Sequence, residues 1–122
     1  MQLGMIGLGK MGANMAQRLV RNGHQMVGFD PKPEARATVE NFGAQSAATL
    51  KELVGKLQAP RAIWMMVPAG EITGGTVDAL LNLLESGDTI IDGGNSNYKD
   101  TLGRAKAADA IGVHYVDCGT SG

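Results

Sequence analysis

Cysteine is almost missing from the sequence: Cys118 is the single one among 122 residues. One thiol closes no internal disulfide, so the core alone must hold the fold, and a cytoplasmic setting is the simple expectation. Excess charge is missing too. Eleven basic against 12 acidic residues leave a formal −1, which lacks the basic surplus of a nucleic-acid surface. No apolar run nears the roughly 20 residues that span a bilayer. The N-terminus has no basic region, apolar h-region and cleavage site, so no signal peptide is expected. These absences point to a globular protein with neither nucleic-acid nor membrane partners. Its 43% hydrophobic and 19% charged content are ordinary for that class, and its length suits one domain with a small core.

Glycine is abundant, with 18 residues, and three of them are spaced with purpose. An apolar run, Leu3 to Ile6, leads into G-x-G-x-x-G at Gly7, Gly9 and Gly12. A helix-compatible run, Ala13 to Arg21, follows at once. That order suits a buried strand, a tight turn and a helix whose first N–H groups face an anion. In such a motif Gly7 makes the turn, Gly9 lets phosphates reach the main chain, and Gly12 lets helix and strand touch. The whole block Gly7, Leu8, Gly9, Lys10, Met11 and Gly12 is the candidate pyrophosphate cradle. Asp30 lies 18 positions after Gly12 and ends a second apolar run, Met26 to Phe29. A carboxylate about 20 residues beyond such a motif accepts ribose hydroxyls and repels a 2′-phosphate. The expected cofactor is NAD, with Pro31 and Lys32 beside it; Lys32 keeps NADP open.

Strand-like and helix-like runs alternate along the rest of the chain. Strands are expected at Gln2–Ile6, Gln25–Phe29, Ala44–Ala47, Ala62–Val67, Asp88–Asp92 and Val113–Asp117. Helices are expected at about 10–22, 33–42, 50–57, 72–85 and 99–110. Thr49 and Glu52 have the spacing of a capping box. The continuous apolar run Ala62 to Val67 fits a strand buried on both faces. This pattern predicts an α/β doubly wound, mostly parallel sheet of about six strands, a Rossmann-type dinucleotide-binding domain. Ligands in such sheets sit beyond the carboxyl ends of the strands. Glycine or small polar residues cluster at those ends: Gly7 to Gly12, Asp30, Val67 to Gly70, Asp92 to Ser96, and Cys118 to Gly122.

The string Asp92-Gly93-Gly94-Asn95-Ser96-Asn97-Tyr98-Lys99-Asp100-Thr101 resembles the D-G-G-N-S-x-Y-x-D-T segment of the decarboxylating 6-phosphogluconate dehydrogenases. Gly7-Leu8-Gly9-Lys10-Met11-Gly12-Ala13-Asn14 is similar to their G-L-x-x-M-G-x-N. The tail Gly119-Thr120-Ser121-Gly122 resembles the start of their G-x-S-G-G segment. The resemblance implies roles beyond those of the glycine turn. Val67, Pro68 and Ala69 would lie along the cofactor. Asn95 would meet both nicotinamide and substrate. Ser121 and Gly122 would bind the sugar acid, 6-phosphogluconate. The reaction implied is oxidation at C3, loss of CO₂ and protonation to ribulose 5-phosphate, without a metal. The family's acid/base lysine and glutamate match nothing in the chain, so no catalytic residue is assigned. The chain stops in a loop-like sequence just after a strand, so residues 1–122 are expected to be the cofactor domain of a longer enzyme. A helical catalytic and dimerisation domain, and with it a homo-oligomer, would lie beyond.

Asp30-Pro31-Lys32 departs from the asparagine-arginine-threonine of NADP-dependent members, and Val67-Pro68-Ala69 replaces a lysine-containing loop. Both departures favour the short, NAD-preferring branch. Two alternatives stay open: another β-hydroxyacid dehydrogenase, such as one acting on 3-hydroxyisobutyrate, and a non-catalytic NAD-sensing module. His24 reads as a solvated loop residue and His114 as structural. Cys118 reads as a small filler, Trp64, Met65 and Met66 as core, and Asp78 and Glu85 as a solvated helix face.

Overall fold

The computed structural model describes residues 2–66, 71–93 and 98–117, and the side chains among them except those at 10, 11, 71–74, 98–102 and 117. Strands and helices alternate without exception: β1 (Gln2–Ile6), α1 (Lys10–Arg21), β2 (Gln25–Phe29), α2 (Pro33–Asn41), β3 (Gln45–Ala47), α3 (Leu50–Lys56), β4 (Ala62–Met65), α4 (Glu71–Leu81), β5 (Thr89–Asp92), α5 (Tyr98–Asp109) and β6 (His114–Asp117). The strands form one sheet in the order β3-β2-β1-β4-β5-β6. Every pairing is parallel. The expected doubly wound sheet is therefore the observed one.

Adjacent residues of a strand face opposite sides, and here each side has its own core. Ile6, Val27, Ile63, Met65 and Ile90 pack with Leu53 and Val54 of α3, Val77 and Leu80 of α4, and Ala108 of α5. Their neighbours Met5 and Met26 pack with Ala16 of α1 and Val39 of α2. The helices thus divide two to one face and three to the other. The division turns at β1, between β2 and β4, where the chain reverses its travel across the sheet. In doubly wound sheets a ligand crevice lies at such a reversal, beyond the carboxyl ends of the strands. Among the described residues, no helix is long and apolar enough to cross a membrane.

Several local readings hold for the expected reason. Gly23, at φ +89°, closes α1: its N–H bonds Val20 O at 3.0 Å, and His24 N–H bonds Leu19 O at 3.1 Å. That paired closure requires a left-handed residue after the cap. Others are revised. Thr49 caps α3 by accepting the Glu52 N–H at 3.0 Å, but the Glu52 carboxylate pairs with Lys56 at 3.2 Å, so half of the expected box is made. Helix α4 stops at Leu81 rather than at Glu85. The Glu85 N–H, which would continue the helix, is captured by Asp88 Oδ2 at 2.8 Å, although Leu84 stays in the core. Strand β4 is less uniformly buried than its apolar run suggests. Ile63 and Met65 are fully buried, whereas Trp64 and Met66 are partly so. The reason lies in the helix division, since α1 and α2 cover the other half of that face.

Candidate cofactor site

The glycine turn joins β1 to α1 at the reversal point. Gly7 has φ +92°, a backbone region that side chains disfavour. A Cβ on Gly12 would run into the carbonyl oxygen of Gly7, so the first turn of α1 can press on the strand end only with glycine there. Both sterically demanding positions of the motif are thus required by this backbone. Gly9 is the N-terminal cap of α1, and a Cβ there would meet nothing within 4 Å. Its surroundings are open, as close approach of a ligand to the main chain needs. The first helical hydrogen bond is Ala13 N–H to Gly9 O at 2.8 Å. The N–H groups of Lys10, Met11 and Gly12 precede it and have no partner within the helix. No acidic side chain lies in this first turn, so the helix itself does not compensate the partial positive charge of its end.

Three backbone bonds align the strand ends around the turn. Gly7 N–H reaches Phe29 O at 2.9 Å, Met66 N–H reaches Ile6 O at 2.7 Å, and Gly93 N–H reaches Met65 O at 2.9 Å. The turn therefore sits between the ends of β2 and β4 as a continuation of the ladder. Leu8, which the sequence places in the candidate pyrophosphate cradle, is 4% exposed. Its side chain enters the α1–α2 core above Gly28, where a Cβ would lie 3.0 and 3.1 Å from the two Leu8 methyl groups. Leu8 thus contributes main chain to the glycine turn and side chain to the core.

Asp30 stands just beyond β2, beside the turn. Its Oδ2 accepts the Leu8 N–H at 2.8 Å and its Oδ1 accepts the Lys32 N–H at 2.9 Å. Its own carbonyl accepts from Arg36 Nη1 at 2.7 Å. Pro31 and Lys32 are exposed next to it. The sequence pairs Asp30 with the glycine motif by distance along the chain, and the structure brings the two into direct contact. Arg36 was not singled out from sequence. Its signal is position alone: it sits in the first turns of α2, close enough to reach back to the strand end.

A buried acid ends β5. Asp92 is 1% exposed and accepts the Tyr115 hydroxyl at 2.6 Å. Burial first, then the adjoining Asp92 carboxylate, raise the Tyr115 phenol far above its ordinary value, with Arg104 opposing. Tyr115 therefore stays a donor. The pair ties β6 to the strand end from which Gly93 departs. Gly93 is itself confined, since a Cβ there would overlap Trp64 Nε1 and lie 2.6 Å from Met66 Sδ. Val67, Pro68, Ala69, Asn95, Cys118, Ser121 and Gly122 lie outside the described residues, and of Lys10 and Met11 only the backbone is described. A separate groove of about 490 Å³ between α5 and β6 is lined by Lys106, Asp109 and His114 among others. Two strands, β4 and β5, separate it from the glycine turn.

Comparison with known proteins agrees with this geometry. Residues 2–122 match the NAD binding domain of 6-phosphogluconate dehydrogenase. The chain belongs to this family. The family's NAD-binding domain has a relative in the NAD(+)-dependent, decarboxylating 6-phosphogluconate dehydrogenase of Haloferax volcanii. The two are 43% identical over 122 residues, which cover 100% of this chain and 40% of that protein. Among solved structures, the 3-hydroxyisobutyrate dehydrogenase of Mycobacterium tuberculosis, with L-serine, superposes at a TM-score of 0.89. Identity is 28%, over 99% of this chain and 40% of that one. The 6-phosphogluconate dehydrogenase of Plasmodium falciparum, described as apo, with NADP+ and with 6-phosphogluconate, gives 0.83 at 26% identity, over 94% and 26%. The chain thus spans well under half the length of these relatives.

Proposed function

We propose that this NAD-binding domain serves an enzyme that oxidises and decarboxylates 6-phosphogluconate to ribulose 5-phosphate, with NAD preferred over NADP. The observation that carries the cofactor half is the contact of Asp30 with the glycine turn. A dinucleotide seated with its pyrophosphate on the N–H groups that open α1 would bring its adenosine ribose toward that carboxylate. Two acceptor oxygens suit a ribose diol and oppose a 2′-phosphate. The bound cofactor would supply hydride acceptance, and the chain's own residues bind and orient. Gly7 and Gly12 shape the cradle. Leu8, Gly9, Lys10 and Met11 line it with backbone, and Pro31 and Lys32 border the ribose. Val67, Pro68 and Ala69 flank the cofactor in this reading.

The substrate half rests on the Asp92 to Thr101 string and on the named activity of the Haloferax relative. Asn95 would bridge nicotinamide and sugar acid, with Ser121 and Gly122 beyond. The acid/base lysine and glutamate fall outside these 122 residues, so we expect the chain to bind NAD without turning over substrate. A 3-hydroxyisobutyrate-type activity is the second reading, favoured by the structural match to the mycobacterial enzyme. Calorimetric titration of the chain with NAD and NADP tests the cofactor half: NAD should bind more tightly, and tighter NADP binding reverses the preference. Assay of the gene product containing this chain on 6-phosphogluconate and on 3-hydroxyisobutyrate tests the rest. Turnover of the second alone would replace the substrate proposed.

A further inference from the structure

The carboxylate of Asp30 faces two ways. A group needed only to recognise a ribose would project into the crevice with both oxygens free. Here Oδ2 already holds the Leu8 N–H at 2.8 Å, inside the glycine turn itself. Oδ1 holds the Lys32 N–H at 2.9 Å, and Arg36 fixes the Asp30 carbonyl at 2.7 Å. Position 30 is thus anchored from the loop that follows it and from α2, and it anchors the turn in its place. Leu8 is the residue between the first two glycines of the motif. Its side chain is held in the slot above Gly28, near Val39. Its N–H is the one backbone donor there that a carboxylate has captured. Gly7 at φ +92° and Gly9 flank it, and neither has a side chain to restrict the backbone. Such a turn has many alternatives, and something must select one.

We infer that Asp30 is a positioning residue for the pyrophosphate turn, setting its shape through the Leu8 amide before any dinucleotide arrives. This deepens the NAD-binding reading and rests on it. Each carboxylate oxygen accepts more than one hydrogen bond, so one acceptor site per oxygen stays available to a ribose diol. The same group therefore performs both tasks. The charged bond to Leu8 is of the stronger kind. Its loss releases the turn and weakens pyrophosphate binding whatever the ribose carries. Cofactor preference and turn shape are then coupled through one side chain. Replacing Asp30 to accept NADP would loosen the cradle for both cofactors. The clamp also denies the carboxylate the rotation that would make room for a 2′-phosphate.

The test separates the two roles of Asp30 by ligand. The ligands are NAD and an NAD analogue whose adenosine ribose lacks both hydroxyls, titrated against the unaltered chain, Asp30→Ala and Asp30→Asn. Affinity for the analogue should fall about tenfold or more in Asp30→Ala, the effect expected when a hydrogen bond to a charged group is lost. In Asp30→Asn, one amide oxygen can still accept from Leu8, and part of that affinity should return. Analogue binding unchanged in Asp30→Ala, with NAD binding reduced, would confine Asp30 to the ribose and overturn the inference. A second measurement needs no variant. In the unaltered chain the Leu8 amide proton should be protected from exchange with solvent deuterium before any dinucleotide is added, as a donor held by Asp30 is. Dinucleotide binding with a freely exchanging Leu8 amide overturns the positioning role alone. A protected amide without binding of either dinucleotide overturns the NAD-binding reading, and the positioning role with it.

Discussion

Asp88 and Asp92 are both buried acids at ends of β5, and they are satisfied by different means. Asp88 precedes the strand and is 0% exposed. Its carboxylate accepts the Arg61 N–H at 2.6 Å, the Glu85 N–H at 2.8 Å and Arg61 Nη1 at 3.1 Å. Burial pushes this carboxyl up. The two backbone donors and the guanidinium outweigh burial, so its pKa lies below the ordinary 3.8. Arg61 in turn donates Nε to Val54 O at 3.1 Å, which joins α3, β4 and β5 at the end of the sheet opposite the glycine turn. Removing the carboxylate strands a mostly buried cation, at a cost of about 3 kcal/mol. Asp88→Ala should therefore lose about that much unfolding free energy in urea titration at neutral pH. A folded pKa below the unfolded one gives stability that is complete above the unfolded value and lost as pH falls through the folded value. The gap between parent and variant should accordingly narrow from pH 3.8 downward. An equal gap at about pH 3 and at neutrality would mean that packing, not charge, holds Asp88.

Helix α3 shows how a short element is kept in place. At seven residues it is far below the roughly 12 to 15 at which an isolated helix becomes even marginal. Three things hold it: the Thr49 cap, the Glu52–Lys56 pair, and Leu53 and Val54 buried in the larger core. The ion pair is solvent-exposed on both sides and contributes little. The cap is the stronger device, so Thr49→Ala should cost about 1 kcal/mol. Glu52→Gln should fall within about 0.5 kcal/mol of the parent. Both are readable as urea midpoints. Equal losses in the two variants would show that the expected capping box operates in solution after all. The element matters beyond its size, because it carries the chain from the edge strand β3 back to β4 beside β1. That return creates the reversal at which the glycine turn sits.

At the scale of the molecule, the turn, the two cores and the parallel ladder form one linked unit. Ligand binding to the folded state alone stabilises it by mass action, by about 2.7 kcal/mol at 100 times the dissociation constant. For a chain of this length that is a rise in melting temperature on the order of 10 °C. A thermal scan should show this rise with NAD and a smaller one with NADP at equal concentration. Equal rises would remove the discrimination assigned to Asp30.

The sequence by itself determined the alternation of eleven elements, the parallel character of the sheet and the place of the glycine turn. Each of these depends on short-range patterns: apolar runs, caps, glycine stops and motif spacing. Where local signals competed with distant groups, only the tertiary structure decided. Helix α4 reads to Glu85 by periodicity and ends at Leu81 because Asp88, just before the next strand, takes the Glu85 amide. Glu52 has the spacing for its cap and bonds Lys56 instead. Asp88 and Arg61 are 27 positions apart and carry no local signal of their pairing. The link between Leu8 and Asp30 is of the same kind. Spacing proposed both residues for one ligand, and the fold made them partners of each other, because parallel strands bring the ends of β1 and β2 together.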